Sequence, residues 1–238
     1  MPNHITNRLT INGSPDEVKK VLEAIGSAHE NDDPMYIDFN KIKPMPESLN
    51  IESGSNTDVG MSLYNIVSKG MESAPVPEWT AKHIQSMLDE ANLPFTDAGI
   101  QQFTQNTERG QELYNLGKIA NENLAAYQAR DWYGWSIREW GTKWNAYDQS
   151  LEGNTITFLT AWSGVPELLQ QVAAQYPNIE FEYMYADEDW GQNTGDFIFK
   201  GDDIRSHLPS GGSPEARAIA EGLLGPCWCE EDEDELEQ

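Results

Sequence analysis

The chain has 238 residues, 38 % of them hydrophobic and 10 % aromatic, enough for one large domain or a domain with a sizeable insertion. Forty Asp and Glu against 15 Lys and Arg give a formal net charge of −25 and a pI near 4.2. Such a surface repels phosphate backbones, which argues against direct nucleic-acid binding and leaves basic proteins or cations as partners.

From the start of the chain, His4 to Ile11 alternates. Ile5, Leu9 and Ile11 share one face and Thr6, Arg8 and Thr10 the other, as in a half-buried strand. Asn12-Gly13 turns the chain. Ser14 is an N-cap, Pro15 takes the first helical position, and Glu17 completes a capping box. Val18, Val21, Leu22 and Ile25 form the apolar stripe, and Gly26 ends the helix. Met35 to Phe39 reads as a short second strand stopped by Pro44 and Pro46, so residues 1–46 form a first β-α-β half.

Residues 47–130 read as a helical insertion. Ser48 to Gly60 is a Ser/Asn/Gly-rich loop and Met61 to Val67 a short helix. Trp79 to Ala91 carries Trp79, His83 and Met87 at helical spacing. Thr96 caps a long helix to about Ala129, which Gly110 and Gly117 weaken.

Next comes WYGWSIREWGTKWNAY, Trp132 to Tyr147, with four of the eight Trp in the chain. It reads as a short helix through Trp140, a left-handed Gly141, and an extended approach to a strand. Its aromatic density serves either as a core or domain-junction plug or as a ligand-stacking surface. Leu151 to Asn154 is a hairpin-like turn, Thr155 to Trp162 a strand, and Val165 to Tyr176 an amphipathic helix. In the strand Ile179 to Ala186, the aromatics Phe181, Tyr183 and Tyr185 share a face, and Asp196 to Lys200 is a last strand. Residues 131–200 therefore repeat β-α-β with an added strand. Residues 201–229 are peripheral, with a Ser213-capped helix from Pro214 to near Leu224. Residues 230–238 are an acidic tail expected to be disordered, and removing its seven acids leaves −18.

Two β-α-β halves with a crossover predict an α+β fold: a ferredoxin-like antiparallel sheet with helices on one face, interrupted by the helical insertion. MPNHITNRLTING, IDFNKIKPMPESL, WSIREWGTKWNAYD, TFLTAWSGVPELL and EYMYADEDWGQNTGDF occur in that order. Together they resemble the YubB-type ferredoxin-like domain family of phages and conjugative plasmids, over most of residues 1–200 outside the insertion. That family has no established activity, so the resemblance implies a fold and a mobile-element origin and no reaction.

Candidate site residues gather around the Trp stretch. Lys143 lies between Trp140 and Trp144, Asn145 follows, and the acidic run Asp187, Glu188 and Asp189 follows a strand in the same half. Lys143 beside carboxylates suits an ion pair fixing a loop, an anion site or a role in proton transfer. Asp187, Asp189, Asn193 and Asp196 are oxygen ligands of the kind calcium uses, without EF-hand spacing. His4, His29, His83 and His207 are scattered, AWSGV is not a nucleophile elbow, and the Gly191–Gly195 turn has no P-loop lysine. Phe181, Tyr183 and Tyr185 are expected to pack under helices, with Glu180 and Glu182 unsuited to an RNA-stacking face. No catalytic residue, metal site or cofactor is expected. Cys227 and Cys229 are badly placed to bridge each other, which predicts a reducing compartment. With no signal-peptide core or membrane span expected, the chain reads as a host-cytoplasmic accessory protein that is not an enzyme. Its expected partner is a host protein with a basic surface, bound by carboxylates that imitate a DNA backbone. The alternatives are a small-ligand module around Trp140, Lys143 and Trp144, and, behind it, a hydrolase or transferase.

Overall fold

The structure, a computed structural model, describes residues 2–28 and 34–227. Strand β1 (His4–Asn12) leads to helix α1 (Pro15–Ile25), then a small ribbon of β2 (Ser27–Ala28) and β3 (Pro34–Met35), then the single-turn helix α2 (Phe39–Ile42). Helices α3 (Ser55–Lys69), α4 (Glu78–Glu90), α5 (Asp97–Asn106), α6 (Glu108–Tyr127) and α7 (Trp132–Glu139) follow. The remaining described elements are β4 (Tyr147–Glu152), β5 (Thr155–Ala161), α8 (Pro166–Gln175), β6 (Glu180–Asp187), β7 (Gly195–Lys200), β8 (Asp203–His207) and α9 (Pro214–Leu224). The chain divides into two compact units, one of Met1–Pro44 with Ser136–Gln238 and one of Met45–Trp135.

The first unit is a six-stranded antiparallel sheet in the order β4-β5-β1-β6-β7-β8. Within it, β1-α1-β4-β5-α8-β6 is a split β-α-β unit with β1 between β5 and β6, the ferredoxin-like arrangement, extended at one edge by β7 and β8. The α+β fold and its antiparallel ferredoxin-like sheet are therefore as the sequence reads, but the helices are not confined to one face, because α9 packs on the other.

The alternation of β1 continues into its partners. Asn7 stands opposite Phe158 on β5 and Tyr185 on β6, and Leu9 stands opposite Ile156 and Tyr183. Ile5, Leu9, Ile11, Phe158, Phe181 and Tyr183 are all buried on that face. Asn7 breaks the apolar series, and its buried amide is fully employed. Its Nδ2 donates to Thr160 Oγ1 at 2.9 Å and to the Ile5 carbonyl at 2.9 Å, and its Oδ1 accepts from the Tyr183 hydroxyl at 2.6 Å. That hydroxyl in turn accepts from Val165 N–H at 2.7 Å, which ties the start of α8 to the sheet. The aromatics of β6 thus pack under a helix, as expected. On the opposite face α9 packs against β6, β1 and β7, and Arg8 donates to the Gly222 carbonyl.

The second strand of the first half is not where the sequence places it. Met35 pairs only in the small ribbon, and Asp38 caps α2 by accepting from Asn40 N–H at 2.9 Å, so the chain turns at Phe39. The strand that fills this role is β4, reached only after the helical unit. Its residues alternate between half-buried and exposed with Asp148, Gln149 and Ser150 in the middle, and this polar edge strand offers no apolar period to read. Likewise β8, within the stretch expected to be peripheral, is a fully exposed edge strand. Cys227 is disulfide-bonded, against the expectation that it does not bridge; Cys229, the acidic tail and His29 lie outside the described residues.

The second unit is helical. Val59, Leu63, Ile66, Ile84, Leu88, Ile100, Phe103 and Leu113 form its core. Its tightest approach is between α3 and α6, where a Cβ on Gly117 would lie 1.9 Å from the Gly60 carbonyl oxygen. Gly117 therefore sits inside an unbroken helix because only a bare backbone fits there. The long helix divides instead at Thr107, whose hydroxyl accepts from Gly110 N–H at 3.0 Å and donates to the Phe103 carbonyl at 2.8 Å. Similarly, the expected loop Ser48–Gly60 is helical from Ser55.

Candidate functional site

At one end of the sheet, the register of β1 places His4 opposite Ala161 and Ile5 opposite Asp187. The start of β1, the end of β5 and the end of β6 therefore converge. The stretch between α7 and β4 joins them through Thr142, a buried residue that acts as a substitute strand partner. Its hydroxyl donates to the Ala161 carbonyl at 2.8 Å and accepts from Ala161 N–H at 3.1 Å. Gly141, with φ 79°, makes the turn that this requires, and the Ser136 hydroxyl holds the Lys143 carbonyl at 2.7 Å.

Lys143 and Trp144 are thereby laid against Trp162, just beyond β5. The Lys143 ammonium lies 4.7 Å from the Trp144 ring centroid and 5.1 Å from that of Trp162, inside cation–π range of both. Trp162 is 40 % exposed and holds a left-handed backbone, φ 71°. For a bulky residue that conformation costs on the order of 1–3 kcal/mol. Two bonds hold it there: Trp162 N–H donates to the Asn3 carbonyl at 3.0 Å, and Asn193 Nδ2 donates to the Trp162 carbonyl at 3.0 Å.

Asp187 anchors the neighbouring loop. Its Oδ1 accepts from Asn3 Nδ2 and from Asp189 N–H, each at 3.0 Å, and its Oδ2 accepts from Asn193 Nδ2 at 3.1 Å. With both oxygens occupied by neutral donors, this buried carboxylate works as a strut. The residues weighed as oxygen ligands for a cation are thus partly spent on one another. Among the described residues, no group of three or more His, Cys, Asp or Glu is placed to hold a metal ion.

Tyr147 completes the floor. Its hydroxyl and His4 Nδ1 share a hydrogen bond at 2.6 Å, and its ring meets Trp144 edge-on at 6.3 Å between centroids. Burial pushes the Tyr147 phenol above its ordinary pKa, and the charges of Asp148 and Glu188 push the same way against a hydrogen bond with Trp144. Asp148, Glu188 and Asp189 are exposed, so the rim is acidic.

Of the seven residues singled out in the sequence, five lie at this end: Lys143, Trp144, Asp187, Glu188 and Asp189. Trp140 and Asn145 do not join them and instead secure α2. Trp140 Nε1 donates to the Lys43 carbonyl at 2.9 Å and its ring meets Phe39 edge-on. Asn145 Oδ1 accepts from Phe39 N–H at 2.8 Å and its Nδ2 donates to Asp38 at 2.7 Å. Trp162, Tyr147, His4 and Asn3 were not legible as site residues; the Trp-Ser-Gly turn after a strand was the one available signal for Trp162. A cavity of about 740 Å³ lies elsewhere, between α1, the β2–β3 ribbon and the β4–β5 turn. Its walls are mainly apolar, from Val18, Leu22, Met35, Tyr36 and Leu151. Residues 29–33, which join β2 to β3, lie outside the described residues.

Among the described residues, no helix is long and apolar enough to cross a membrane. No curated protein matches the chain. The crystal structure of a protein api92 from Yersinia pseudotuberculosis aligns with 90 % of this chain and 100 % of its own, at 10 % identity and a TM-score of 0.41. Residues 139–221 match the family model described as a ferredoxin-like domain in Api92-like protein. This stretch, which carries β4 to β8, α8 and most of α9, is thus similar to the ferredoxin-like domain of Api92-like proteins.

Proposed function

We propose that the protein is a non-enzymatic acidic accessory protein that captures a host protein with a basic surface. The observation that carries this is the acid excess: −18 without the tail, with exposed Asp148, Glu188 and Asp189 around half-exposed indoles. Arrays of carboxylates steer a basic partner into encounter and occupy the surface it presents to phosphates. A nucleic-acid-binding or defence factor in the host cytoplasm is the target such a surface suits. The ordered resemblance to YubB-type domains of phages and conjugative plasmids supports the accessory role.

The test is capture from host lysate on the immobilised full chain at low and high salt, followed by titration of the purified partner. Binding is expected to weaken steeply with salt, since exposed charges are screened beyond roughly 8 Å at physiological ionic strength. DNA is expected to compete for the partner without binding this protein. Salt-independent capture, or simultaneous binding of DNA and this protein at one partner site, overturns the proposal. A small-ligand module is the second reading, favoured by the cation held between Trp144 and Trp162, with Trp140 taking no part.

A further inference from the structure

We infer that the slot between Trp144 and Trp162 receives an arginine side chain of the partner, and that Lys143 is its resident placeholder. The inference rests on the basic-partner proposal for the source of the arginine, and on geometry for the slot itself. Two indole faces converge on one cation position, 4.7 and 5.1 Å from their centroids. The chemistry the slot accepts is thus displayed by its present occupant, because each ring face is the negative pole of a quadrupole.

The walls differ in a way that suits exchange. Trp144 rests edge-on against Tyr147, which is hydrogen-bonded to His4. Trp162 is 40 % exposed, yet its backbone is pinned by the bonds with Asn3 and Asn193. The open wall is therefore fixed before anything binds, and little ordering is lost on association. Exposed Asp148 and Glu188, whose charges are felt at Tyr147, draw a cation towards the opening.

Arginine fits the slot better than the lysine already there. A guanidinium is planar, stacks on aromatic faces and is weakly hydrated, whereas an ammonium is compact and strongly hydrated on a flexible stem. Lys143 keeps the indoles paired while the slot is empty of ligand, and its half-exposed side chain can swing out when a guanidinium enters. As an intramolecular competitor, it lowers the affinity for any cation from outside.

The experiment is titration of the full chain with N-acetyl-arginine amide, following the indole N–H resonances of Trp144 and Trp162 by NMR. The lysine counterpart and neutral N-acetyl-leucine amide are titrated alongside. Saturable shifts at these two indoles are expected, stronger for arginine than for lysine and absent with leucine. Lys143→Ala is expected to tighten arginine binding by about threefold to thirtyfold, the range a cation–π contact spans. Lys143→Arg is expected to weaken it, and Trp162→Ala to abolish it. Trp162→Phe keeps a ring at the wall and is expected to retain part of the affinity, which controls for misfolding of the alanine variant. Unchanged or weaker binding in Lys143→Ala, or indole shifts at Trp144 that persist in Trp162→Ala, overturns the inference. If the analogue binds as described but no basic protein is captured, the slot stands and the macromolecular partner falls. Salt-sensitive capture that Trp162→Ala leaves unchanged removes the slot and keeps the acidic-surface reading.

Discussion

The sheet unit and the helical unit reach close packing by opposite means. In the sheet, one buried polar residue on the central strand organises its neighbours: Asn7 bonds Thr160 on β5 and Tyr183 on β6, and Tyr183 holds the start of α8. In the helical unit the tightest contact has no side chains at all, because Gly60 and Gly117 let α3 and α6 meet backbone to backbone. The sheet gains specificity from hydrogen bonds that only one register satisfies. The helical unit gains it from a shape that only glycine allows. Each is broken by a different kind of substitution.

The largest effect is expected where a big side chain closes the sheet unit. Trp140 is 5 % exposed, packs on Phe39 and donates to Lys43, so Trp140→Ala should cost about 3–5 kcal/mol in denaturant unfolding. Trp144→Ala, at a half-buried ring, should cost clearly less; equal losses would mean that the two indoles share one packing role. In the helical unit, adding a single methyl is the sharper probe. Gly117→Ala places a Cβ against the Gly60 carbonyl, and backbone cannot give way cheaply, so about 1–3 kcal/mol should be lost. Amide exchange should rise first in α3 and α6. Wild-type protection in those helices would show that they separate without strain.

Much of this architecture was legible because it follows local periods. The alternation of Ile5, Leu9 and Ile11, the Ser213 cap of α9, and the left-handed Gly141 are each set by a few neighbouring residues. The capping box is also present, with Ser14 N–H donating to Glu17 at 2.8 Å. What stayed hidden depends on pairing across long stretches of chain. β4 lacks an apolar face, and it becomes a strand because β5 offers it an edge. Gly117 looked like a helix breaker because its partner, Gly60, lies on another helix. At the site, Lys143 and Trp144 are neighbours in sequence and were legible together. Trp162, Tyr147 and His4 join them only through the registers of β1 with β5 and of β4 with β5.

The smallest effect separates charge from packing at the place where Trp140 was probed. Glu139 lies 3.3 Å from the Lys43 ammonium and 2.7 Å from the Arg138 guanidinium. Burial works to raise the Glu139 carboxyl, but hydrogen bonds from Arg138 and Lys43, with their charges, outweigh it and hold its pKa below the usual value. A depressed folded-state pKa contributes stability that is present above the unfolded value, near 4.5, and lost as pH falls through the folded one. Both partners are substantially exposed, so the pair is worth at most about 1 kcal/mol. Glu139→Gln should therefore lower stability slightly at pH 7 and approach the parent as pH falls through the depressed folded-state pKa, where the parent carboxylate itself becomes protonated. Urea unfolding of both proteins from pH 7 to pH 3 reads this directly. A difference that persists undiminished at pH 3 would mean that Glu139 acts through the shape of its side chain. In that case the link between α7 and Lys43 would rest on Trp140 and its packing alone.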